Sequence, residues 1–457
     1  MDNKSISLKK FNIGFILLFL CLLFFSEQKN TIELLLSVST FGVILNLFFV
    51  RQPVIFFTLC YHALQATAKV FYAVINKTSI NELATYSNNA DLAEASRLSC
   101  IGLIILSFAI YIVLPKIKSA ERKNTLNIKK LLFAYGGCIA LGYLAMSMGQ
   151  LGGLYQILNK LIILKWGIFF LIVHVGIPQK KYYFIYIIIF EILISIISYF
   201  STFKDVLFVM LISLLILNLG YLKIKPRVFI LLASLSLFLG FTWQNIKDDY
   251  RLFLSAGEKS QTVKVGFDEA YDKIIDLVNE NPYDTEQTFD KTVDRISYID
   301  YFAESLNYIP LIKPHTNGMV WLESLLHISQ PRLLYPNKKV IDDSQKTMEF
   351  TGIMLADAEQ GTSISLGYVA ESYVDFGKYL FIIPIILLGL LIGWLFRKLF
   401  QSNINTIYCW ALSIPFYFQF YGLEMASEKV LGSIITYAFI VFIIVKYGKK
   451  QLAWLEK

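Results

Sequence analysis

A basic pair stands where a long apolar run of this chain gives way to a polar segment. The stretch NIKDDYR, residues 245–251, places Lys247 and Arg251 four residues apart, directly after that run. A guanidinium offers a planar fork to phosphate oxygens and an ammonium offers a point charge, so the pair suits a phosphate held at the level of lipid headgroups. The alternative is that both cations only form salt bridges with Asp248 and Asp249.

A further cation lies in SLLHISQPRLLYPNKK, residues 324–339. Pro331 and Pro336 forbid a continuous helix through Arg332, because each proline removes an N–H donor and fixes its own φ. We therefore expect Arg332 to be presented from an extended segment, just after a short apolar helix that contains His327. We expect Arg332 either to contact a ligand or to form ion pairs with acidic residues nearby that hold this segment in place.

Three side chains are candidates for accepting a proton. Glu371 and Asp375 are four residues apart and share one face if their segment is helical. His315 lies between Pro314 and Gly318 on a rigid loop, and histidine exchanges a proton readily near neutral pH. The alternatives are helix capping for the two carboxylates and an ordinary surface position for the histidine.

Ionisable residues also fall inside or at the ends of apolar runs, where an unpaired charge is costly. Lys165 and Glu191 lie within such runs, and Lys204 opens another. Lys165 can instead extend its ammonium to the headgroups, and Glu191 can simply hydrogen-bond a neighbouring helix. The sequence contains no HExxH, no DxD and no CxxC, so we expect no metal and no cofactor.

The whole composition shows where these side chains must work. The chain of 457 residues is 56% hydrophobic and 17% charged, with a mean hydropathy of +0.56. Soluble domains are about 25% charged, so this composition indicates a polytopic membrane protein. The first apolar run, residues 11–25, is not followed by a small-residue cleavage site, and we expect it to be retained as a span.

The apolar runs predict an all-α protein with about 12 transmembrane helices, because about 20 apolar residues cross about 30 Å of hydrocarbon. The predicted spans are centred on residues 11–25, 32–50, 53–75, 98–115, 131–148, 161–178, 183–200, 205–222, 228–245, 379–396, 406–421 and 429–446. Basic residues concentrate in the short loops on the side of the N-terminus. Both termini are therefore predicted to be cytoplasmic.

One connection is far longer than the others. Residues 246–363 hold more acidic than basic residues and are predicted to form a large outer loop. The loop separates residues 1–245, with nine spans, from residues 364–457, with an amphipathic segment and three spans. Apolar residues recur at helical spacing in two stretches of the loop, residues 266–280 and 293–308, and a short apolar helix is predicted at 319–328. We expect a small helical cap on the outer membrane surface.

Topology and two motifs together resemble the Wzy-type polymerases of O-antigen or oligosaccharide repeat units. The motifs are PRLLYPNKK, residues 331–339, and GYVAESYVDFG, residues 367–377. The resemblance implies the helical fold of the lipid-phosphosugar glycosyltransferases, without a nucleotide-sugar domain. It also implies a multi-pass protein of the bacterial cytoplasmic (inner) membrane.

The implied activity joins oligosaccharide repeat units linked to undecaprenyl pyrophosphate into O-antigen or capsular polysaccharide, without a metal. Fixed cations stabilise the charge that develops on the leaving pyrophosphate, and the attacking hydroxyl needs a base. The implied partners are the lipid-linked oligosaccharide, membrane lipid, a chain-length regulator and a flippase, with no nucleic acid. The residues implied are Glu371, His315 and Arg332 for catalysis, Arg251, Lys204, Lys165 and Lys247 for the pyrophosphate, and Tyr298, Trp321 and Tyr373 for the sugars.

Other functions share some of these features. An O-antigen ligase, which moves the finished glycan onto a lipid core, has the same topology and donor, and the two motifs favour the polymerase. A flippase or transporter should carry charged residues along a cavity between two related halves, whereas the predicted spans here are nearly uncharged. A membrane scaffold without catalysis is a third alternative.

Overall fold

The computed structural model describes residues 20, 29–117, 119–121, 126–147, 153–199, 202–258, 263–280, 285–332, 334–335, 337–338, 341–355 and 363–456. Within these residues the secondary structure is helical and contains no β-strand, only an isolated bridge between Leu126 and Glu456. Nine helices in this part of the chain are long and apolar enough to cross a membrane. The prediction of an all-α membrane protein is therefore confirmed at this level.

The first half of the chain forms α1 (Thr31–Phe48), α2 (Pro53–Ile75), α3 (Leu92–Val113), α4 (Ile128–Ser147), α5 (Gly153–Ile162), α6 (Lys165–Gly176), α7 (Tyr183–Ile197), α8 (Phe203–Gly220) and α9 (Pro226–Leu254). The remainder forms α10 (Phe267–Glu280), α11 (Thr285–Ile296), α12 (Asp300–Tyr308), α13 (Met319–Ser329), α14 (Asp343–Thr351), α15 (Tyr368–Leu380), α16 (Ile382–Phe400), α17 (Thr406–Ser413), α18 (Ser427–Tyr447) and α19 (Lys449–Trp454). Two 3₁₀ helices, Ile80–Leu83 and Ile414–Gln419, complete the described elements.

Nine predicted spans coincide with the nine membrane-length helices, one of which combines α5 and α6. The predicted span at 183–200 is α7, whose 15 residues extend only about 23 Å. The predicted span at 406–421 is broken, because α17 ends at Ser413 and a 3₁₀ helix follows. The predicted span at 11–25 lies outside the described residues apart from Leu20. A count of twelve stays a prediction.

Hydrogen bonds connect the cap to the early part of the chain. Tyr298 N–H donates to the Gln65 carbonyl in the middle of α2 at 3.0 Å, and Asn307 donates to the Asn89 carbonyl in the connection between α2 and α3. We call the end of the molecule that holds the connection between α2 and α3 the cap end. The side of the membrane that the cap end faces stays a prediction.

Helix α16 packs very closely against α3 through two small residues. Gly389 and Gly393 are four apart and lie on one face of α16. A Cβ added at Gly393 would lie 2.6 Å from the Ile110 carbonyl oxygen, and one at Gly389 would lie 2.6 Å from the Cβ of Ala109. Transmembrane helices commonly use small residues at this spacing to bring two backbones together. The contact fastens the late helices to the early ones.

The cap consists of α10 to α14, and its helices depart from the prediction in two places. Helix α9 continues to Leu254, so the predicted boundary at residue 246 falls inside a helix. The single helix predicted over 293–308 is wrong, because α11 ends at Ile296 and α12 begins at Asp300. The break occurs where the Tyr298 N–H bonds to Gln65 of α2 instead of to its own helix. The predicted helices at 266–280 and 319–328 are confirmed as α10 and α13.

Candidate functional site

Helix α9 carries Lys247 and Arg251 beyond its apolar part. Its 29 residues extend about 43 Å, which exceeds the hydrocarbon thickness of about 30 Å. No residue in the apolar part of α9 is buried by the rest of the protein, so this helix faces lipid. Lys247 follows the start of the helix by about 32 Å, so we expect Lys247 and Arg251 near headgroup level, where a lipid phosphate can approach from the side.

Helix α11 brings a third cation to this pair. It lies against α9 and α2, where Gln244 donates to the Lys291 carbonyl at 3.2 Å. Arg295 of α11 and Arg251 both lie within electrostatic range of Lys247. We call Lys247, Arg251 and Arg295 the cationic cluster. Arg251 is oriented by Tyr199, whose carbonyl accepts from its Nε at 3.2 Å and whose ring centroid lies 5.1 Å from its guanidinium carbon.

The cationic cluster lacks direct ion pairs in the part of the chain that the structure describes. Among the residues that the structure describes, none of its three members forms an ion pair, although Lys247 lies near Asp248. The predicted salt bridges of Lys247 and Arg251 with Asp248 and Asp249 are therefore not formed. Unpaired cations at headgroup level are suited to an anionic ligand.

The other two lysines predicted to bind pyrophosphate lie in a different environment. Lys165 forms an ion pair with Glu191, with N···O distances of 2.7 and 2.8 Å, so its charge is already compensated. It does not extend freely to the headgroups as an isolated cation would. Lys204 is exposed on the first turn of α8, beside Asp205, and Lys165 and Glu191 lie within electrostatic range of the same aspartate.

Four tyrosines lie near Arg295, one member of the cationic cluster. Arg295 lies within electrostatic range of Tyr61, Tyr298, Tyr301 and Tyr421, which we call the tyrosine cluster. Burial raises the pKa of Tyr298, Tyr301 and Tyr421, and the positive charge of Arg295 opposes that rise. All three phenols therefore stay protonated at neutral pH.

One carboxylate shares this neighbourhood. Glu424, half-buried in the connection before α18, lies beside the Tyr421 hydroxyl and within electrostatic range of Tyr61 and Tyr298. Neither Glu424 nor Arg295 was predicted from the sequence. The available signal was the composition of two short stretches at helix ends, VDRISYIDY and YGLEMASEK, where a charge stands among tyrosines or directly before a span.

Glu371, predicted as a base, is enclosed. Its carboxylate has no exposed surface, forms an ion pair with Lys346 at 2.8 Å and accepts from the Ser427 N–H at 2.7 Å. Lys346 also pairs with Glu428 at 2.7 Å. In this arrangement Glu371 joins α15 to α14 and α18 and offers no oxygen to a substrate hydroxyl.

Asp375 performs the capping that was its alternative prediction. Its carboxylate accepts from the N–H groups of Val320 and Trp321, both at 3.0 Å, at the start of α13. Trp321 and Tyr373, predicted to stack on sugars, are buried, at 9% and 2% exposure. The Trp321 indole donates to Ser372 and the Tyr373 hydroxyl donates to the Ile309 carbonyl, so neither ring presents a face to a ligand.

His315 keeps one nitrogen for proton transfer. Its Nδ1 lies 3.1 Å from the Val374 carbonyl oxygen, which can only accept, so Nδ1 carries the hydrogen and Nε2 holds the lone pair. Gly377 has a φ of +67°, and a Cβ there would lie 3.2 Å from Nε2. The absence of that Cβ allows the imidazole to sit against α15.

Arg332 lies on a turn and not on the predicted extended segment. The Pro331 carbonyl accepts from the N–H groups of Leu334 and Tyr335, at 2.9 and 3.0 Å. Its predicted exclusion from a helix is confirmed. In the described parts of the chain the guanidinium has no acidic partner, and the charges within its electrostatic range include His327 and Lys338. Arg332 is thus not observed to pin this segment to acidic neighbours.

The match with a known family covers almost the whole chain. Residues 12–454 match the model of a domain of unknown function, DUF8712. The chain belongs to the DUF8712 family. No curated protein and no solved structure matches this DUF8712 protein.

The geometry of the DUF8712 protein thus separates two groups of predicted residues. Lys247 and Arg251 lie together near the end of α9, and Arg295 lies within electrostatic range of both Lys247 and Tyr298. Glu371, Trp321 and Tyr373 belong to the core around α15. Three potential metal ligands do not converge anywhere in the described ranges.

Proposed function

We propose that this protein is a membrane glycosyltransferase that moves a glycan from a lipid-linked pyrophosphate to a sugar hydroxyl. One observation carries the proposal. Three cations that form no ion pair in the described part of the chain gather near the cap-side end of α9, and four tyrosines lie within electrostatic range of one of them, Arg295. A carboxylate, Glu424, lies among these tyrosines. A donor held in the bilayer by a polyprenyl tail would present its pyrophosphate at headgroup level.

The cationic cluster would stabilise the leaving group. In the reaction the bond between the anomeric carbon and the pyrophosphate oxygen breaks, and a bond from that carbon to the acceptor oxygen forms. Negative charge develops on the pyrophosphate, and Arg251 and Arg295 offer planar forks to its oxygens. Tyr199 fixes the guanidinium of Arg251 before the substrate arrives, which reduces the cost of reorganisation.

The proton of the acceptor hydroxyl would pass to Glu424. This carboxylate lies among the tyrosines that face Arg295, whereas Glu371 is closed off by Lys346 and Ser427. The phenol oxygens of the tyrosine cluster would accept hydrogen bonds from the sugar hydroxyls, and the rings would offer faces for stacking. Of the three aromatic residues predicted to contact sugars, Tyr298, Trp321 and Tyr373, only Tyr298 keeps that role in the proposal.

The resemblance to the Wzy-type polymerases defines the substrate class. The donor would be undecaprenyl pyrophosphate carrying an oligosaccharide, and the product an O-antigen or capsular polymer on the outer face of a bacterial inner membrane. The cap end would then face outward. A flippase would supply the repeat units, and a chain-length regulator would act on the same polymer.

The test uses Arg251→Ala, with Arg227→Ala as a matched control because Arg227 is exposed at the opposite end of the same helix. In cells that lack the gene, we expect Arg227→Ala to restore the full ladder of surface polysaccharide. We expect Arg251→Ala to lower the transfer rate about 10²- to 10³-fold, the usual loss for one such donor, and to leave single repeat units.

Purified protein supplied with lipid-linked repeat units extracted from the same cells should show the same difference. Full-length polymer from the Arg251→Ala variant would refute the proposed site. Transfer of a finished glycan to a lipid core, with no growth of the glycan, would identify a ligase. Repeat units that fail to reach the outer face would identify a flippase.

A further inference from the structure

A cavity lies in the cap, between α13, α14 and the start of α18. Its volume is about 420 Å³, within the range of roughly 300–1,000 Å³ that small-molecule sites occupy. Its charged and titratable lining residues are Glu323, His327, Asp342, Lys346, Glu349 and Glu428. Phe350 and Met319 contribute apolar surface to the same lining. The cavity is thus a polar site with one apolar wall.

The lining of the cavity is mainly acidic. Four carboxylates face one lysine and one histidine, although Lys313 pairs with Glu349 from outside the lining. Burial lowers the pKa of His327, and the nearby Lys338 lowers it further, so this histidine is neutral at neutral pH. The lining therefore carries more negative than positive charge and favours a ligand that donates hydrogen bonds over a phosphate.

One lining oxygen lacks a hydrogen-bond donor. The side chain of Glu428 is 9% exposed, and its Oε1 pairs with Lys346 at 2.7 Å. Its Oε2 is buried and has no hydrogen-bond partner in the described part of the protein. A buried carboxylate oxygen without a donor is costly, so a ligand that donates a hydrogen bond to Glu428 would bind favourably here.

The neighbouring elements connect this cavity to the tyrosine cluster. Asp342 lines the cavity at the start of α14, and the next residue, Asp343, accepts from the Ser365 hydroxyl at 2.9 Å. The Ser365 carbonyl in turn accepts from the Tyr298 hydroxyl. These contacts place the start of α14 between the tyrosine cluster and the cavity.

We infer that the cavity is a subsite for a sugar residue, neutral or amine-bearing, which donates hydrogen bonds from hydroxyl or ammonium groups to Glu428 and Glu323. That the sugar belongs to the transferred glycan rests on the proposed function. The cavity binds this part of the glycan away from the pyrophosphate. The two sites differ in the sign of their charge, so the pyrophosphate binds better at the cationic cluster than in the cavity.

The test is hydrogen–deuterium exchange on the purified full-length protein, followed in peptides from α13 and α14. The probes are glucose, glucosamine and glucose 6-phosphate. We expect glucose or glucosamine to protect these peptides and glucose 6-phosphate to protect them least. Protection by potassium chloride or calcium chloride, with none by the sugars, would refute the sugar subsite.

Two variants make the test specific, with Glu258→Gln as a control because Glu258 is exposed and pairs with Lys264 elsewhere. Glu428→Gln should raise the sugar Kd about tenfold, the equivalent of one hydrogen bond to a charged group. Glu323 is exposed and outside the Lys346 ion pairs, so Glu323→Gln tests the site even if Glu428→Gln unfolds the cap. Unchanged sugar protection in Glu323→Gln and Glu428→Gln would overturn the inference.

The two proposals fail separately. Sugar protection that depends on Glu428, together with normal polymer from Arg251→Ala, would support the sugar subsite and refute the pyrophosphate site at the cationic cluster. Loss of transfer in Arg251→Ala without any sugar protection would support the pyrophosphate site and refute the sugar subsite.

Discussion

Lys346 of α14 and Glu371 of α15 form an ion pair of 2.8 Å in which the carboxylate is fully buried. The same carboxylate accepts from the Ser427 N–H at the start of α18, and Glu428 holds the lysine from the other side. Burial opposes the charge on Lys346, but the two carboxylates outweigh it and raise its pKa. The lysine is therefore charged at neutral pH and connects a cap helix to the last membrane helix.

Replacing Glu371 tests whether it stabilises the fold or takes the proton. In Glu371→Gln the charge on Lys346 loses one of its two carboxylates, and breaking a buried pair costs about 3–5 kcal/mol. We expect a lower free energy of unfolding in detergent and an unchanged rate of transfer per folded molecule. A variant with unchanged stability and no transfer would restore Glu371 as the base.

Glu424→Gln should separate chemistry from folding. If Glu424 accepts the proton of the acceptor hydroxyl, its neutral amide lowers kcat about 10²- to 10⁴-fold, the usual contribution of a general base. KM and the melting temperature should change little, because the amide keeps the shape of the side chain. Steady-state kinetics with lipid-linked repeat units measures this, and equal kcat in both proteins would assign the proton to another group, with His315 the next to test.

The pairing of Lys165 with Glu191 predicts a strong coupling energy between them. Each single variant, Lys165→Met or Glu191→Gln, leaves one charge uncompensated among helices and should destabilise the protein by about 3–5 kcal/mol. The double variant should lose less than the sum of the two. Thermal unfolding of all four proteins measures the cycle. Additive losses would show that the two charges do not interact.

What the sequence could predict depended on how far apart in the chain the interacting residues lie. Lys247 and Arg251 were found because they directly follow an apolar run, so length alone places them at headgroup level. Arg295 joins them only because α11 folds back across α9, which no local pattern records. The spacing of Glu371 and Asp375 predicted a shared helix correctly.

The sequence did not reveal what covers each of these two carboxylates. For Glu371, the partner Lys346 comes from α14, the helix before it in the chain, and Ser427 comes from the last membrane helix. For Asp375, the partners are N–H groups of α13. The helix break at 297–299 has the same kind of cause, since a hydrogen bond to Gln65 replaced a local one. Helical periodicity in the flanking sequence continues through that break and could not indicate it.

Acidification should loosen the cap near His327. Burial lowers the pKa of His327 in the folded protein, and Lys338 and Arg332 act in the same direction against Glu428. The unfolded chain, with an ordinary histidine pKa of about 6.5, then binds more protons than the folded one, so stability falls as the pH drops through that value. Hydrogen exchange of α13 should rise over this interval, and His327→Gln should flatten the dependence. A wild-type profile identical to that of His327→Gln would contradict this assignment.

The close contact between α16 and α3 predicts an opposite response to the same substitution at two glycines. Gly393→Ala places a Cβ 2.6 Å from the Ile110 carbonyl oxygen, so the helices must separate, at a cost of about 1–3 kcal/mol for overpacking. Gly240→Ala, on lipid-facing α9, meets nothing within 4 Å and should be neutral or stabilising by up to about 1 kcal/mol through helix propensity. Thermal unfolding in detergent compares the two variants directly. Equal melting temperatures would show that α16 and α3 are not held at this distance.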